Sequence, residues 1–349
     1  MVEIDGAIGE GGGQVLRSAL TLSIMTEQPT RIVNIRSRRS QPGLLPQHLK
    51  SVDAAAAISK AHVEGAHLGS TSLLFEPGEI RSGRYKFDIG TAGSTSLVLQ
   101  TIFLPLCKAS SASTVIITGG THVPWAPCHH FLAWHWLEMI KAIGFSADIK
   151  LDQAGFYPEG GGRITATIRP ASGISPLRMV ERGKPTGIHG LSAVANLSNE
   201  IAERQKRRAL QRLQPQFPNV RIKIEQLPSK YKGTVLLLIA EYESNNGYAQ
   251  CCFYSLGQLG KPAERVADEA VDAFLTFHST GAAVDQYLAD QLLLPLAFAS
   301  RDSEIHTSQI TPHLLTNAEI IRLYMPSRID IIGEAGQPGI VRMIPGQSA

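Results

Sequence analysis

The fold turns on the reading of Glu3-Ile4-Asp5-Gly6-Ala7-Ile8-Gly9-Glu10-Gly11-Gly12-Gly13-Gln14-Val15-Leu16-Arg17. It runs from a strand through a glycine turn into a helix from about Gln14 to Met25, whose Leu16, Leu20 and Ile24 recur at i, i+4 and i+8 and give it a buried side. Glycines ahead of a helix let backbone amides approach an anion at the helix N-terminus. The spacing is neither G-x-G-x-x-G nor G-x-x-x-x-G-K-[ST], so neither a dinucleotide turn nor a P-loop is supported. A bare glycine run is more often a tight turn. Glu10 would repel a naked phosphate but would help hold a divalent cation that bridges to one. Strand, glycine turn and helix recur downstream, and Pro158-Glu159-Gly160-Gly161-Gly162 echoes Gly9-Glu10-Gly11-Gly12-Gly13. Internal repetition of a β-rich unit within a mixed α/β (α+β) fold is expected.

The chain has 349 residues, 43% of them hydrophobic and 18% charged, with net charge +3. That is ordinary globular composition, long enough for two domains, since single cores split beyond roughly 250–300 residues. No apolar run approaches the roughly 20 residues of a membrane span, and Met1-Val2-Glu3-Ile4-Asp5 reads as no signal peptide. Cys107, Cys128, Cys251 and Cys252 fit neither a paired zinc site nor a disulfide framework. A soluble, cytoplasmic protein is expected. The oligomeric state is left open, a homodimer included.

Arg31-Ile32-Val33-Asn34-Ile35-Arg36-Ser37-Arg38-Arg39 reads as a basic strand, and Pro46 opens a helix to about Lys60 that carries Gln47, His48 and Lys50. This cationic cluster is either a solvated face or a contact for a phosphate-rich partner. Two or three strands fill 62–90, and a helix spans about 94–107 with Gln100 in its middle. A strand over 113–118, the loop Val123-Pro124-Trp125-Ala126-Pro127 and a helix over 129–143 precede strands at 147–151 and 163–169. Cys128-His129-His130 is metal-like in composition, but adjacent residues rarely ligate one ion together and no fourth ligand is suggested.

The pattern changes style after about Pro176, and residues 181–277 read as a small inserted α/β domain within a larger one formed by 1–180 and 278–349. Its first helix carries Arg204, Lys206, Arg207, Arg208 and Arg212, either a solvated charged face or a second nucleic-acid contact. A later helix, about 285–300, places Tyr287, Asp290 and Gln291 on one face. That stripe is either solvated or lines a cavity.

Near the end stands Thr311-Pro312-His313-Leu314-Leu315-Thr316-Asn317. Pro312 stiffens the approach, and Thr316 or Asn317 is expected to cap a helix over 318–324. His313 would then sit on a constrained turn. A lone histidine is more often structural, but imidazole nitrogen is a capable nucleophile near neutral pH.

Together these motifs resemble one family, the RNA 3'-terminal phosphate cyclases. The resemblance rests on Gly9 to Gln14 with Arg17, Pro42-Gly43-Leu44-Leu45 with Gln47 and His48, Gly90 to Gln100, Phe156 to Gly162, Tyr287 to Leu294 and His313 to Asn317. It implies a large domain of three repeated units, each a four-stranded sheet with two helices, and a smaller inserted α/β domain. It implies ATP-dependent conversion of an RNA 3'-phosphate to a 2',3'-cyclic phosphate through an AMP adduct on His313. By resemblance, Gln100, Pro127, Phe253, Tyr287, Leu288, Ala289, Asp290 and Gln291 form an ATP pocket. Glu10 and Asp290 are candidates for holding Mg²⁺ or Mn²⁺. Arg17, Arg36, Arg39, Gln47 and His48 are candidates for phosphates of the RNA end or of ATP. The alternatives are a non-catalytic ribosome-assembly factor of the same fold, which lacks the nucleophilic histidine, and an enolpyruvyl-transferase-like enzyme, which needs no adenylate.

Overall fold

The computed structural model describes residues 1–217, 219–244, 249–326 and 328–345. The first unit is β1 (Val2–Asp5), α1 (Gly13–Thr26), β2 (Thr30–Val33), α2 (Pro46–Ser59), β3 (His62–Glu64) and β4 (Leu73–Glu76). Its sheet order is β1-β2-β4-β3, with β2 parallel to β1 and antiparallel to β4. A parallel pair needs a helical crossover, which α1 supplies. The second unit repeats this plan: β5 (Arg84–Asp88), α3 (Thr95–Cys107), β6 (Ser113–Gly119), a helical stretch, β7 (Ser146–Gln153) and β8 (Gly162–Arg169), ordered β5-β6-β8-β7. The helical stretch is α4 (His129–Phe131), a π turn (Leu132–Trp136) and α5 (Leu137–Ala142).

A third unit opens with β9 (Arg178–Met179) and is interrupted before its helix. The interruption holds β10 (Pro185–Ala195), α6 (Asn199–Leu213), β11 (Val220–Gln226), β12 (Gly233–Tyr242), β13 (Gln250–Leu256) and α7 (Ala263–Thr280). These strands form a separate sheet, β11-β10-β12-β13. The third unit then resumes with α8 (Gln286–Leu296), β14 (Ser303–Thr307), α9 (Pro312–Tyr324), β15 (Arg328–Ile332) and β16 (Gly339–Ile344), and β14 pairs in parallel with β9. Its order, β15-β16-β14-β9, is the same plan read from the other edge. The expected mixed α/β architecture of repeated four-stranded units is present. Among the described residues no helix is long and apolar enough to cross a membrane.

The helices of the three units meet at α1, which packs against α2, α3 and α9, while α8 packs on α9. Leu16, Leu20 and Ile24 are buried there with Leu292, Leu314 and Ile320, each worth about 1.5–3 kcal/mol of burial. Polar ties fix the approach: Thr21 Oγ1 donates to Thr101 O at 2.8 Å, and Tyr324 Oη donates to Ala19 O at 3.1 Å.

Two expectations are corrected and a third is narrowed. The basic strand stops at Val33, because Asn34 (φ 53°) and Arg36 (φ 54°) adopt the left-handed conformation and Asn34 Nδ2 donates to Asp5 Oδ1 at 3.2 Å. Arg36, Arg38 and Arg39 therefore lie on a turn. The last helix begins at Pro312, not after Thr316, because Thr311 Oγ1 accepts from Leu314 N at 2.9 Å and proline suits the first helical position. Of the basic residues on α6, Arg204, Arg208 and Arg212 are already paired. Arg204 pairs with Glu264 at 2.7 Å, Arg208 with Asp268 at 2.8 Å, and Arg212 with Asp268 at 3.0 Å and Asp272 at 2.7 Å, forming a ladder onto α7.

Candidate active site

Three helix N-termini, those of α1, α8 and α9, are laced together by side chains. Thr311 Oγ1, which caps α9, also donates to Asp290 Oδ1 on α8 at 2.5 Å. Asn317 Nδ2 donates to Asp290 O at 2.8 Å, and Ser18 Oγ of α1 donates to Asn317 Oδ1 at 2.7 Å. His313 is the second residue of α9, half-exposed, with Nδ1 3.1 Å from Glu10 Oε2. Arg39 Nη2 lies 3.7 Å from the same oxygen, and Gln14 Nε2 donates to His313 O at 3.1 Å. The glycine turn is required for this approach. Gly9 has φ +57°, and a Cβ there would stand 2.0 Å from Thr316 Oγ1.

The charges around His313 are mixed. Partial burial pulls its pKa down; Glu10 opposes that, and Arg17 and Arg39 reinforce it. The imidazole is therefore unprotonated at neutral pH. Burial pushes the Asp290 carboxyl well above the usual range, the Thr311 hydrogen bond opposes this, and the charges of Asp285 and Glu10 add to it. Burial, then Arg17 and Arg36, bring His48 down to about 3. Burial lowers Arg17 to about 10, so it stays cationic at neutral pH. Among the described residues, no carboxylate pairs with Arg17.

Helix α8 is held from behind. Asp285 is its N-cap, with Oδ1 accepting from Tyr287 N at 3.1 Å and Leu288 N at 3.0 Å. Its Oδ2 is 2.7 Å from His135 Nε2 on the π turn, and both side chains have no exposure. Gln250 Nε2 of β13 donates to Trp134 O at 2.7 Å and lies 3.2 Å from His135 Nδ1. If that amide also donates to Nδ1, the proton rests on Nε2, facing Asp285. A π turn inserted into a helix often marks a functional site; here it aims His135 at the cap of α8.

Arg17, Gln100, Tyr287, Asp290, Gln291 and His313 line a cleft of about 1530 Å³, with Pro127 and Phe253 also on its wall. A sequence model of the RNA 3'-terminal phosphate cyclases matches residues 8–331. The chain belongs to that family. Proteins carrying that name in Caldivirga maquilingensis, Ectopseudomonas mendocina and Pseudomonas fluorescens are 43%, 45% and 46% identical to it. The alignments cover 95%, 98% and 95% of this chain and 94%, 97% and 94% of those proteins. Among solved structures, the enolpyruvyl transferase NikO from Streptomyces tendae overlaps 47% of this chain and 33% of its own at TM-score 0.28 and 11% identity, which carries no argument. The chain is thus an enzyme of the cyclase family.

Within this cyclase-family cleft, Gln100 Nε2 donates to Gln291 Oε1, and Gln291 Nε2 donates to Tyr287 O at 2.9 Å. Phe253 is only 2% exposed, and its ring meets Tyr287 edge-on at 6.4 Å. Leu288 and Ala289 do not reach the cleft. Their side chains are fully buried, and Asp285 takes both amides, Leu288 N through Oδ1 and Ala289 N through its carbonyl at 2.9 Å. Gln47 Oε1 accepts from Ser94 N at 2.6 Å, which ties α2 to the cap of α3. Arg36 Nη1 donates to Gln41 O at 2.5 Å and Gly43 O at 3.2 Å.

Cys128 Sγ caps Phe131 N at 3.5 Å, and His130 Nδ1 lies 2.9 Å from His122 Nε2. Among the described residues no group of three His, Cys, Asp or Glu is placed to hold a metal. Sequence reasoning missed the Glu10–His313 pair and the His135–Asp285 clamp. Its one available signal was Asp285 standing directly before an apolar-periodic helix.

Proposed function

We propose that this enzyme uses ATP to convert an RNA 3'-terminal phosphate to a 2',3'-cyclic phosphodiester through a His313–AMP adduct. The observation that carries the reading is Nδ1 of His313 at 3.1 Å from Glu10. An imidazole that gives its Nδ1 proton to a carboxylate keeps a lone pair on Nε2, the arrangement an activated nucleophile needs. In the first step Nε2 attacks the α-phosphorus of ATP; an N–P bond forms and the bond to the bridging oxygen breaks, releasing pyrophosphate. An oxygen of the RNA 3'-phosphate then attacks that phosphorus, the N–P bond breaks, and AMP passes to the RNA. Last, the neighbouring 2'-hydroxyl loses its proton and attacks the 3'-phosphorus, and AMP leaves. A phosphate oxygen is a poor leaving group until adenylated, after which closure is intramolecular, with effective molarities of 10⁵–10⁸ M in well-oriented systems. The 2'-hydroxyl is also why the substrate is RNA.

Arg17 and Arg39 supply fixed positive charge beside His313 for the phosphates. Glu10 and Asp290 are the carboxyl groups we propose for a divalent cation that joins protein to substrate phosphates; burial holds the Asp290 carboxyl well above the usual range, so binding would displace its proton. When bound, Mg²⁺ or Mn²⁺ would neutralise charge on the triphosphate. We also propose that 181–277 forms an inserted domain whose Phe253 closes the ATP pocket. A non-catalytic binding factor would have no use for His313 held against Glu10. The test is incubation with ATP, Mg²⁺ and an oligoribonucleotide ending in a labelled 3'-phosphate. Phosphatase-resistant label is expected, and a 2'-deoxy terminus should stop at the adenylated end. Label that stays phosphatase-sensitive with folded, ATP-binding protein sinks the reading.

A further inference from the structure

Trp125 has no part in the chemistry above. It lies between β6 and α4, is 100% exposed, and lines the same cleft as His313 and Asp290. Its backbone is left-handed, φ +63°, a conformation that is an outlier for a bulky side chain. Its neighbours are pinned: Tyr254 Oη of β13 donates to Ala126 O at 2.7 Å and accepts from Cys128 N at 3.2 Å. An indole is thus presented wholly to solvent on an anchored, unfavourable backbone, and such outliers persist where function uses them. Tyr157, 68% exposed, and Lys232 line the same cleft, and Lys232 pairs with no carboxylate among the described residues. At about 1530 Å³ the cleft exceeds the roughly 300–1,000 Å³ typical of one small ligand.

We propose that Trp125 is a stacking platform for a base of single-stranded RNA upstream of the 3'-phosphate, with Tyr157 as a second face and Lys232 meeting a backbone phosphate. The proposal rests on the RNA-end reading of the site. Single strands are bound by stacking on aromatic faces beside cationic side chains, with little regard to sequence. The open position of Trp125 favours a base of a strand that runs out of the cleft over the adenine of an enclosed nucleotide.

The test compares wild type, Trp125→Ala and Trp125→Phe with 3'-phosphorylated oligoribonucleotides that carry one abasic position at a time. Binding is read by anisotropy, turnover by cyclisation, and the ATP half-reaction by AMP labelling without RNA. Trp125→Ala should raise Kd and KM for RNA about 5- to 150-fold, the range for loss of one stacked base, while AMP labelling stays within twofold of wild type. Trp125→Phe should recover most of the loss, and one abasic position should reproduce it in wild type without adding to Trp125→Ala. If wild type binds the RNA but does not cyclise it, a binding loss in Trp125→Ala still upholds the stacking while the reaction falls. RNA affinity within twofold of wild type, or an equal loss of ATP affinity, overturns the proposal.

Discussion

Asp285→Ala removes a carboxylate that does two jobs at once. It caps α8 through hydrogen bonds to Tyr287 N and Leu288 N, and it accepts from His135 Nε2 at 2.7 Å in a site where neither side chain is exposed. Loss of an N-cap costs about 1 kcal/mol. Breaking a buried pair by removing one partner costs about 3–5 kcal/mol, because the other is left uncompensated. The Nδ1 of His135 faces the Gln250 amide, and its ring packs edge-on against Phe131 at 5.2 Å. We therefore expect about 4 kcal/mol of destabilisation. With a urea m-value near 3 kcal/mol/M that lowers the midpoint by about 1.3 M. Trp136, buried on the same π turn, is a local fluorescence reporter. Asp285→Asn keeps an acceptor for the α8 amides and loses only the charge-assisted part, about 1–2 kcal/mol. ATP affinity should fall with stability in both variants, because α8 carries Tyr287, Asp290 and Gln291. Equal midpoints for the two variants, or an alanine variant within 1 kcal/mol of wild type, would refute the clamp.

Gly9→Ala should be destabilised and lose adenylation, because its φ of +57° and a Cβ 2.0 Å from Thr316 Oγ1 force the glycine turn off α9; normal AMP labelling by this variant would contradict that. Acid should weaken the fold early. His48 and His130 are held near 3 and His129 near 4 by burial, whereas unfolded histidine titrates near 6.5. Below that pH the unfolded chain binds protons the native state refuses, so stability is lost as pH falls, by up to about 1.4 kcal/mol per pH unit per histidine. A urea midpoint unchanged between pH 7 and pH 5 would count against this, and His48→Gln should flatten the curve. Arg208→Ala and Arg212→Ala should leave the salt dependence of RNA binding unchanged, since both arginines are spent on α7; a drop of about one in the log–log salt slope would restore them as phosphate contacts.

What sequence could show followed local chemistry. The apolar period of Leu16, Leu20 and Ile24 placed α1, and β6, β7, β8 and the strands of the interruption were placed within a residue or two, whereas β14, β15 and β16 were not read as strands. The end of β2 at Val33 was hidden because nothing in Asn34 or Arg36 announces a left-handed residue in the middle of a basic run. The start of α9 was hidden by competition: Thr311, Thr316 and Asn317 are all credible caps, and tertiary contact with Asp290 accompanies the choice of Thr311. Residue types around His313 were legible by resemblance, but the approach of Glu10 to within 3.1 Å of His313 from the far end of the chain was not. The His135–Asp285 pair joins positions 150 residues apart, which no periodicity reports. Leu288 and Ala289 show the converse error: neighbours of site residues on a helix face the core once the 3.6-residue period is imposed.

The central claim is that His313 carries AMP. Wild type, His313→Ala and Glu10→Gln should be incubated with α-labelled ATP and Mg²⁺, then denatured and resolved by electrophoresis. The account predicts acid-labile, alkali-stable label on wild type, none on His313→Ala, and slower labelling of Glu10→Gln. Label that survives in His313→Ala, or none on wild type that demonstrably binds ATP, would contradict it.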